Sequence, residues 1–172
     1  QFKFKHSKIT FNTKAKLVNG LNVTFVFAED AKSVYQELTK NPQAILVEDL
    51  NKLSGLVVHN DTILMSLGAK SKFTSDGLVN VATSLAKFVA SREISEINLH
   101  LTNVHAEKLA LSYAELVEKF IVDFGNGLYY FDDFKTEKTK LALEKVHVSS
   151  DEDLSKALAN AVAILEGYFI VR

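Results

Sequence analysis

Apolar and polar positions alternate at the start of the chain, but the phase slips. Phe2 and Phe4 share one parity and Ile9 and Phe11 the other, which a turn or bulge at His6-Ser7-Lys8 reconciles. After the turn signal Asn19-Gly20, Leu21, Val23, Phe25 and Phe27 alternate with polar positions and predict a strand from Leu21 to Ala28. Asp30 or Ser33 begins a helix to about Lys40 with Val34 and Leu38 inward, and Asn41-Pro42 ends it. The runs Ile45-Leu46-Val47 and Leu56-Val57-Val58 flank Asn51 to Gly55 and fit no period. Asp61 to Gly68, with Ile63, Leu64, Met65 and Leu67, suits a strand buried on both faces. Thr74 or Ser75 caps a helix to about Ser91 whose stripe is Leu78, Val81, Leu85 and Phe88. Ile94, Ile97, Leu99 and Leu101 predict the next strand, with Asn98 and His100 on a less deeply buried face. Asn103 is the expected cap of a helix carrying Leu109, Tyr113, Leu116, Phe120 and Phe124, and Gly125-Asn126-Gly127 its expected stop.

The last third completes the pattern. Leu128 to Lys135 reads as an extended aromatic segment, Lys135 to Lys140 as an exposed loop, and Leu141 to Val148 as a strand. Ser150 is the expected N-cap of a final helix, with Asp153 at the capping-box position and Asp151 and Glu152 favouring the positive end of the helix dipole. Leu154, Leu158, Ala161, Leu165 and Tyr168 form its stripe, and the pattern is still running at Arg172 with no Gly or Pro to end it. Strands alternating with helices predict a three-layer α/β/α sandwich with a mixed, largely parallel sheet. The first strands and the 141–148 strand are expected to add antiparallel pairs. The open-ended helix suggests a domain at 1–149 followed by a linker helix at 150–172 that leads into a further domain.

Composition narrows the function classes. The 172 residues are 47% hydrophobic, enough for a real core, and the formal net charge is −1, so no global field draws the chain to nucleic acid or anionic membrane. Cysteine is absent, which excludes disulfides, thiolate zinc sites and a Cys nucleophile and is compatible with a reducing compartment. No apolar run reaches the roughly 20 residues of a membrane helix.

Candidate chemistry is sparse. The histidines His6, His59, His100, His105 and His147 form no metal-binding spacing. His100 and His105 flank a strand-to-helix turn and could converge, or be ordinary turn residues; His59-Asn60-Asp61 reads as turn chemistry. Asp132-Asp133 is a paired carboxylate that could serve acid–base work, although adjacent side chains on an extended segment point apart. Gly125-Asn126-Gly127 follows a helix, the wrong context for a phosphate loop. Ser66-Leu67-Gly68-Ala69-Lys70, at a strand C-terminus, is better placed but lacks the glycine pattern. The first 28 residues hold Lys3, Lys5, Lys8, Lys14 and Lys16 and no acid. They are either a nucleic-acid contact or a lysine-protected sheet edge.

The final stretch resembles the N-terminal domain of leucyl aminopeptidases, the cytosol aminopeptidase family. The matching residues are Tyr129-x-Phe131-Asp132-x-Phe134-Lys135, a strand, then Ala157-x-Ala159, Glu166-Gly167 and Arg172. Tyr130 stands where that family usually has Arg, and Val122-Asp123 where it often has Glu-Gly. The resemblance implies a macro-domain-like fold and a non-catalytic role: packing on the parent's own C-terminal catalytic domain and assembling a homohexamer. In that family two divalent metals, zinc or manganese and possibly magnesium, activate water for release of N-terminal residues from peptides. Their ligands include an Asn-Thr-Asp-Ala-Glu-Gly-Arg signature that is not found here. The resemblance thus implies no catalytic, cofactor-binding or metal residue in this chain, and no cofactor of its own. The alternative is a stand-alone macro-like module that binds a nucleotide or contacts DNA.

Overall fold

The structure, a computed structural model, describes residues 2–3, 8–14, 20–45, 47–104, 106–133 and 141–171. Eleven elements organise them: strands β1 (Phe2–Lys3), β2 (Lys8–Lys14) and β3 (Leu21–Val26), helix α1 (Ala31–Thr39), strands β4 (Leu56–His59) and β5 (Thr62–Ser66), helix α2 (Ser75–Ala90), strand β6 (Glu96–His100), helix α3 (Tyr113–Asp133), strand β7 (Lys145–Ser149) and helix α4 (Ser155–Val171). The strands form one sheet in the order β1-β2-β7-β6-β3-β5-β4. The four inner pairings are parallel, and only the hairpins β1–β2 and β4–β5 are antiparallel. The expected mixed, largely parallel sheet is therefore present.

Period-two alternation divides the sheet into two faces. Ile9, Phe11, Val23, Phe25, Ile63, Met65, Ile97, Leu99, Val146 and Val148 point to the face covered by α2, α3 and α4, in one continuous core. Val26 and Leu64 point the other way, to a smaller cluster with Ala31 of α1 and Leu50. Helices thus lie on both faces, the three-layer arrangement expected. The Leu78, Val81 and Leu85 stripe of α2 is fully buried, as are Leu116, Phe120 and Phe124 of α3 and Leu154, Ala161 and Leu165 of α4. Phe120 meets Phe25 edge-on at 5.5 Å and stacks on Phe124 at 6.3 Å, joining α3 to the middle of the sheet.

Several expectations change. Gly125-Asn126-Gly127 does not stop α3; the helix runs through it to Asp133, so the supposed extended segment Leu128 to Asp133 is helical. The glycines serve contact instead. A Cβ on Gly127 would lie 2.8 Å from the Ala86 Cβ and 3.4 Å from the Thr83 Cα of α2, and one on Gly125 would lie 2.5 Å from Leu165 Cδ1 of α4. Packing of three helices outweighs the propensity cost of about 1 kcal/mol per glycine. Asn103 does not cap α3 either. Ser112 does, its Oγ accepting from Glu115 N at 3.1 Å while Glu115 Oε1 accepts from Ser112 N at 3.0 Å, a reciprocal capping box.

Strand β7 begins at Lys145, four residues later than expected, and is parallel to both neighbours rather than antiparallel. Strand β6 is not shallow: it lies between β7 and β3, and Asn98 is as buried as Ile97 and Leu99. Ser150 does not cap the last helix. Its Oγ accepts from Glu152 N, and Asp153 accepts from Ser155 N at the true start. Ile45 and Val47 join no strand. Thr74 does cap α2, accepting from Gly77 N at 3.2 Å, and Asn60, at φ 53, makes the β4–β5 turn. The β1–β2 turn at residues 4–7, the 134–140 loop, His105 and Arg172 lie outside the described residues.

The helix contacts generate a stability prediction. Gly127→Ala should cost about 1–3 kcal/mol in urea unfolding despite alanine's higher helix propensity, because the Ala86 Cβ and the α2 backbone cannot rotate away. Gly125→Ala should cost less, since the Leu165 side chain can change rotamer.

Candidate functional site

Two regions gather polar side chains. The first is the loop after β5. Ser66 Oγ accepts from Gly68 N at 3.1 Å, and Gly68 sits at φ 73, a conformation that favours glycine. Both carboxylate oxygens of Glu29 accept from Lys70 N at 3.1 Å, and Lys70 Nζ pairs with Asp30 at 3.0 Å. Lys108 Nζ donates to Lys70 O at 3.3 Å. Beside the loop is a cavity of about 440 Å³ whose lining includes Asn51, Leu53, Lys72, Thr74, Asp76 and Asn80. The position is the one where open α/β sheets hold ligands, but the backbone donors a phosphate would use are already taken. Gly68 N is bonded by Ser66, Lys70 N by Glu29 and Gly77 N by Thr74. Glu29, Asp30 and Asp76 add negative charge there.

The second region is the sheet face opposite α2–α4. Strand register aligns His147, Asn98, Asn22 and Thr62 in one row across four strands. Asn98 Nδ2 donates to Asn22 Oδ1 at 3.3 Å, His100 Nε2 lies 3.2 Å from the same oxygen, and Asn103 Nδ2 donates to Thr24 Oγ1 at 2.8 Å. His147, 3% exposed, bonds through Nε2 to the Glu96 carboxylate, while its buried Nδ1 has no partner among the described residues. Burial lowers the pKa of His100 below the ordinary histidine value. At the C-terminal end of β7, Tyr113 Oη of α3 donates to Ser149 O at 2.9 Å; burial first, then the nearby Glu152 charge, raises its pKa to about 12.

This row orders strands; it does not assemble a reaction. Among the described residues the hydrogen-bond partner of His147 is the Glu96 carboxylate, not a nucleophile, and no three His, Asp or Glu side chains converge as for a metal ion. His100 and His147 share a face without contact between them, and His59 lies at the β4–β5 turn. Asp132 and Asp133 fall in the last turn of α3, not on an extended segment. A groove of about 480 Å³ between β2 and α4, lined by Phe11, Thr13, Leu158, Ala159 and Ala163 among others, was not expected. The small residues Ala159 and Ala163, four apart on α4, were its only sequence signal. No described helix is long and apolar enough to cross a membrane.

The lowered pKa of His100 predicts a pH dependence. A proton that binds the unfolded chain more readily than the folded one destabilises the fold as pH falls. The contribution is complete above about pH 6.5 and is lost as pH drops from there through the lowered folded value. His100→Gln should flatten that part of the stability–pH curve, measured by urea unfolding between pH 7 and 5. The carboxylates Glu115 and Asp153, held low by bonds from Ser112 and Ser155, act only in the more acid range.

No protein-family model and no curated protein matches the chain. Solved structures do. A mutant of tomato leucine aminopeptidase superposes with TM-score 0.67 at 14% identity, over 97% of this chain and 38% of that one. The bottromycin maturation enzyme BotP superposes with TM-score 0.59 at 14% identity, over 87% of this chain and 31% of that one, and its complex with Mn with TM-score 0.57 at 16% identity, over 86% and 30%. The chain spans little more than a third of these enzymes at most. What it shares with them is a fold found within leucine aminopeptidase and BotP.

Proposed function

We propose that the chain is the non-catalytic N-terminal domain of a leucyl aminopeptidase, a metal-dependent exopeptidase that releases N-terminal amino acids from peptides. The observation that carries this reading is the superposition of 97% of the chain on part of tomato leucine aminopeptidase. The matches at Phe131-Asp132, Glu166-Gly167 and Arg172 come from an independent line, the sequence alone. In this reading 1–149 is the domain proper. The helix at 150–172 leads on to a catalytic domain that holds two divalent metals, zinc or manganese and possibly magnesium. The parent works in the cytoplasm as a homohexamer, to which this domain contributes packing surface. The neighbouring complex of BotP with Mn agrees with the metal class. A nucleotide-binding role draws no support from the loop after β5, where Glu29, Ser66 and Thr74 already accept the backbone donors.

Sequencing the source gene past Arg172 tests the reading. The expected result is Asp-Leu directly after Arg172 and, further on, the Asn-Thr-Asp-Ala-Glu-Gly-Arg signature; a stop codon there would overturn it. The 172-residue chain by itself, supplied with Mn or Zn, should release no leucine from leucine amide above the metal-only rate. Metal-dependent turnover by the chain would place catalysis within it.

A further inference from the structure

The two edges of the sheet are built differently. At one end β1 has only two residues and pairs with β2. At the other end β4, Leu56-Val57-Val58-His59, carries no formal charge and no proline, and among the described residues it pairs only with β5, following a bulge in which Ser54, at φ 68, and Gly55 both bond Ser66. Ser66 N bonds Gly55 O at 2.8 Å and the turn closes at His59 and Thr62. Antiparallel alternation then directs the backbone groups of Val57 and His59, with the Gly55 carbonyl, towards β5 and those of Leu56 and Val58 outward, while Gly55 N bonds Lys52 O. Val58 is also one of the few large apolar side chains left 48% exposed.

We propose that β4 pairs antiparallel with β4 of a second copy of this chain, continuing the sheet across a two-fold axis at Val57. In that register Leu56 of one copy exchanges two backbone hydrogen bonds with Val58 of the other, and the symmetry repeats the exchange. The two Val57 residues face each other at the axis. Each exposed Val58 is covered by the other copy's Leu56 on the same face. No like charges meet across the strands. An arbitrary peptide would have to supply this complementarity, whereas a second copy contains it by symmetry. The opposite edge strand, β1, has only two residues, so pairing through strand edges closes at two copies instead of extending into a filament. The contact is short, well below the area of a stable obligate interface, so the dimer is weak and concentration-dependent. The pairing needs no catalytic domain, and its failure would leave the aminopeptidase reading untouched.

Sedimentation equilibrium of the 172-residue chain, from micromolar to millimolar concentration, should show a monomer–dimer equilibrium. Val58→Lys, at a solvent-facing position, should raise the dissociation constant roughly tenfold or more, and Val58→Pro, which deletes an outward donor at a position an edge strand tolerates, should do the same. Val79→Lys, on the exposed side of α2, should leave it unchanged. Amide exchange gives a readout without substitution. The Leu56 and Val58 amides should slow with protein concentration, while those of Val57 and His59 stay protected throughout. A chain that remains monomeric at millimolar concentration overturns the proposal. So does a dimer that survives both Val58 variants, or Leu56 and Val58 amides that exchange equally fast when dilute and concentrated.

Discussion

The structure depends on how closely α3 can approach its neighbours. Helix α3 lies between α2 and α4, and all three rest on one face of the sheet. Where α3 meets α2, Gly127 leaves room for Ala86; where it meets α4, Gly125 leaves room for Leu165. That approach lets Phe120 and Phe124 reach the sheet beside Phe25. A larger residue at either glycine would lift α3 and open voids along a core in which Leu116, Val117, Phe120, Ile121, Phe124 and Leu128 are all fully buried. Cores of native density do not absorb such a shift at small cost.

The same glycines explain where sequence reasoning erred. Gly-Asn-Gly has the local chemistry of a stop, and propensity alone ends a helix there. What keeps α3 going is contact with residues forty positions away in either direction, and no local window contains them. The displaced starts of α3 and α4 have a related cause: Asn103 and Ser150 have the right side chains for caps, but Asn103 ends a 3-10 turn that is followed by another at Ala106–Leu109, and at Ser150 the chain is only just leaving β7. Legibility was best where periodicity was long and one face was buried. The stripes of α2 and α4, the alternation in β3 and the doubly buried β5 were all readable. The direction of β7 was not, because a strand's hydrophobic pattern is the same for parallel and antiparallel neighbours.

The candidate site was legible only in part. Asn98 and His100 were assigned to the face opposite the apolar stripe, and they do lie there, but their row with Asn22 and His147 depends on register across separate strands. The bond from Glu29 to Lys70 N joins residues forty-one positions apart and has no sequence signature. It also decides how the loop after β5 is understood, since a loop whose donors are satisfied by the protein's own carboxylate is a fastening.

The order of strands has a consequence for synthesis. β7 is inserted between β2 and β6, so Phe11 pairs with Val146, and Val146 in turn with Ile97. A nascent chain emerging from the ribosome can form β3, β5 and β6 with α2 while β1 and β2 wait without their partner strand. The sheet becomes continuous only when the last strand arrives. Pairings of such long sequence separation are slow to form, and in the interval the flank of β6 is an open edge. Correct folding therefore depends on one side of β2 staying unpaired until Lys145–Ser149 has been made.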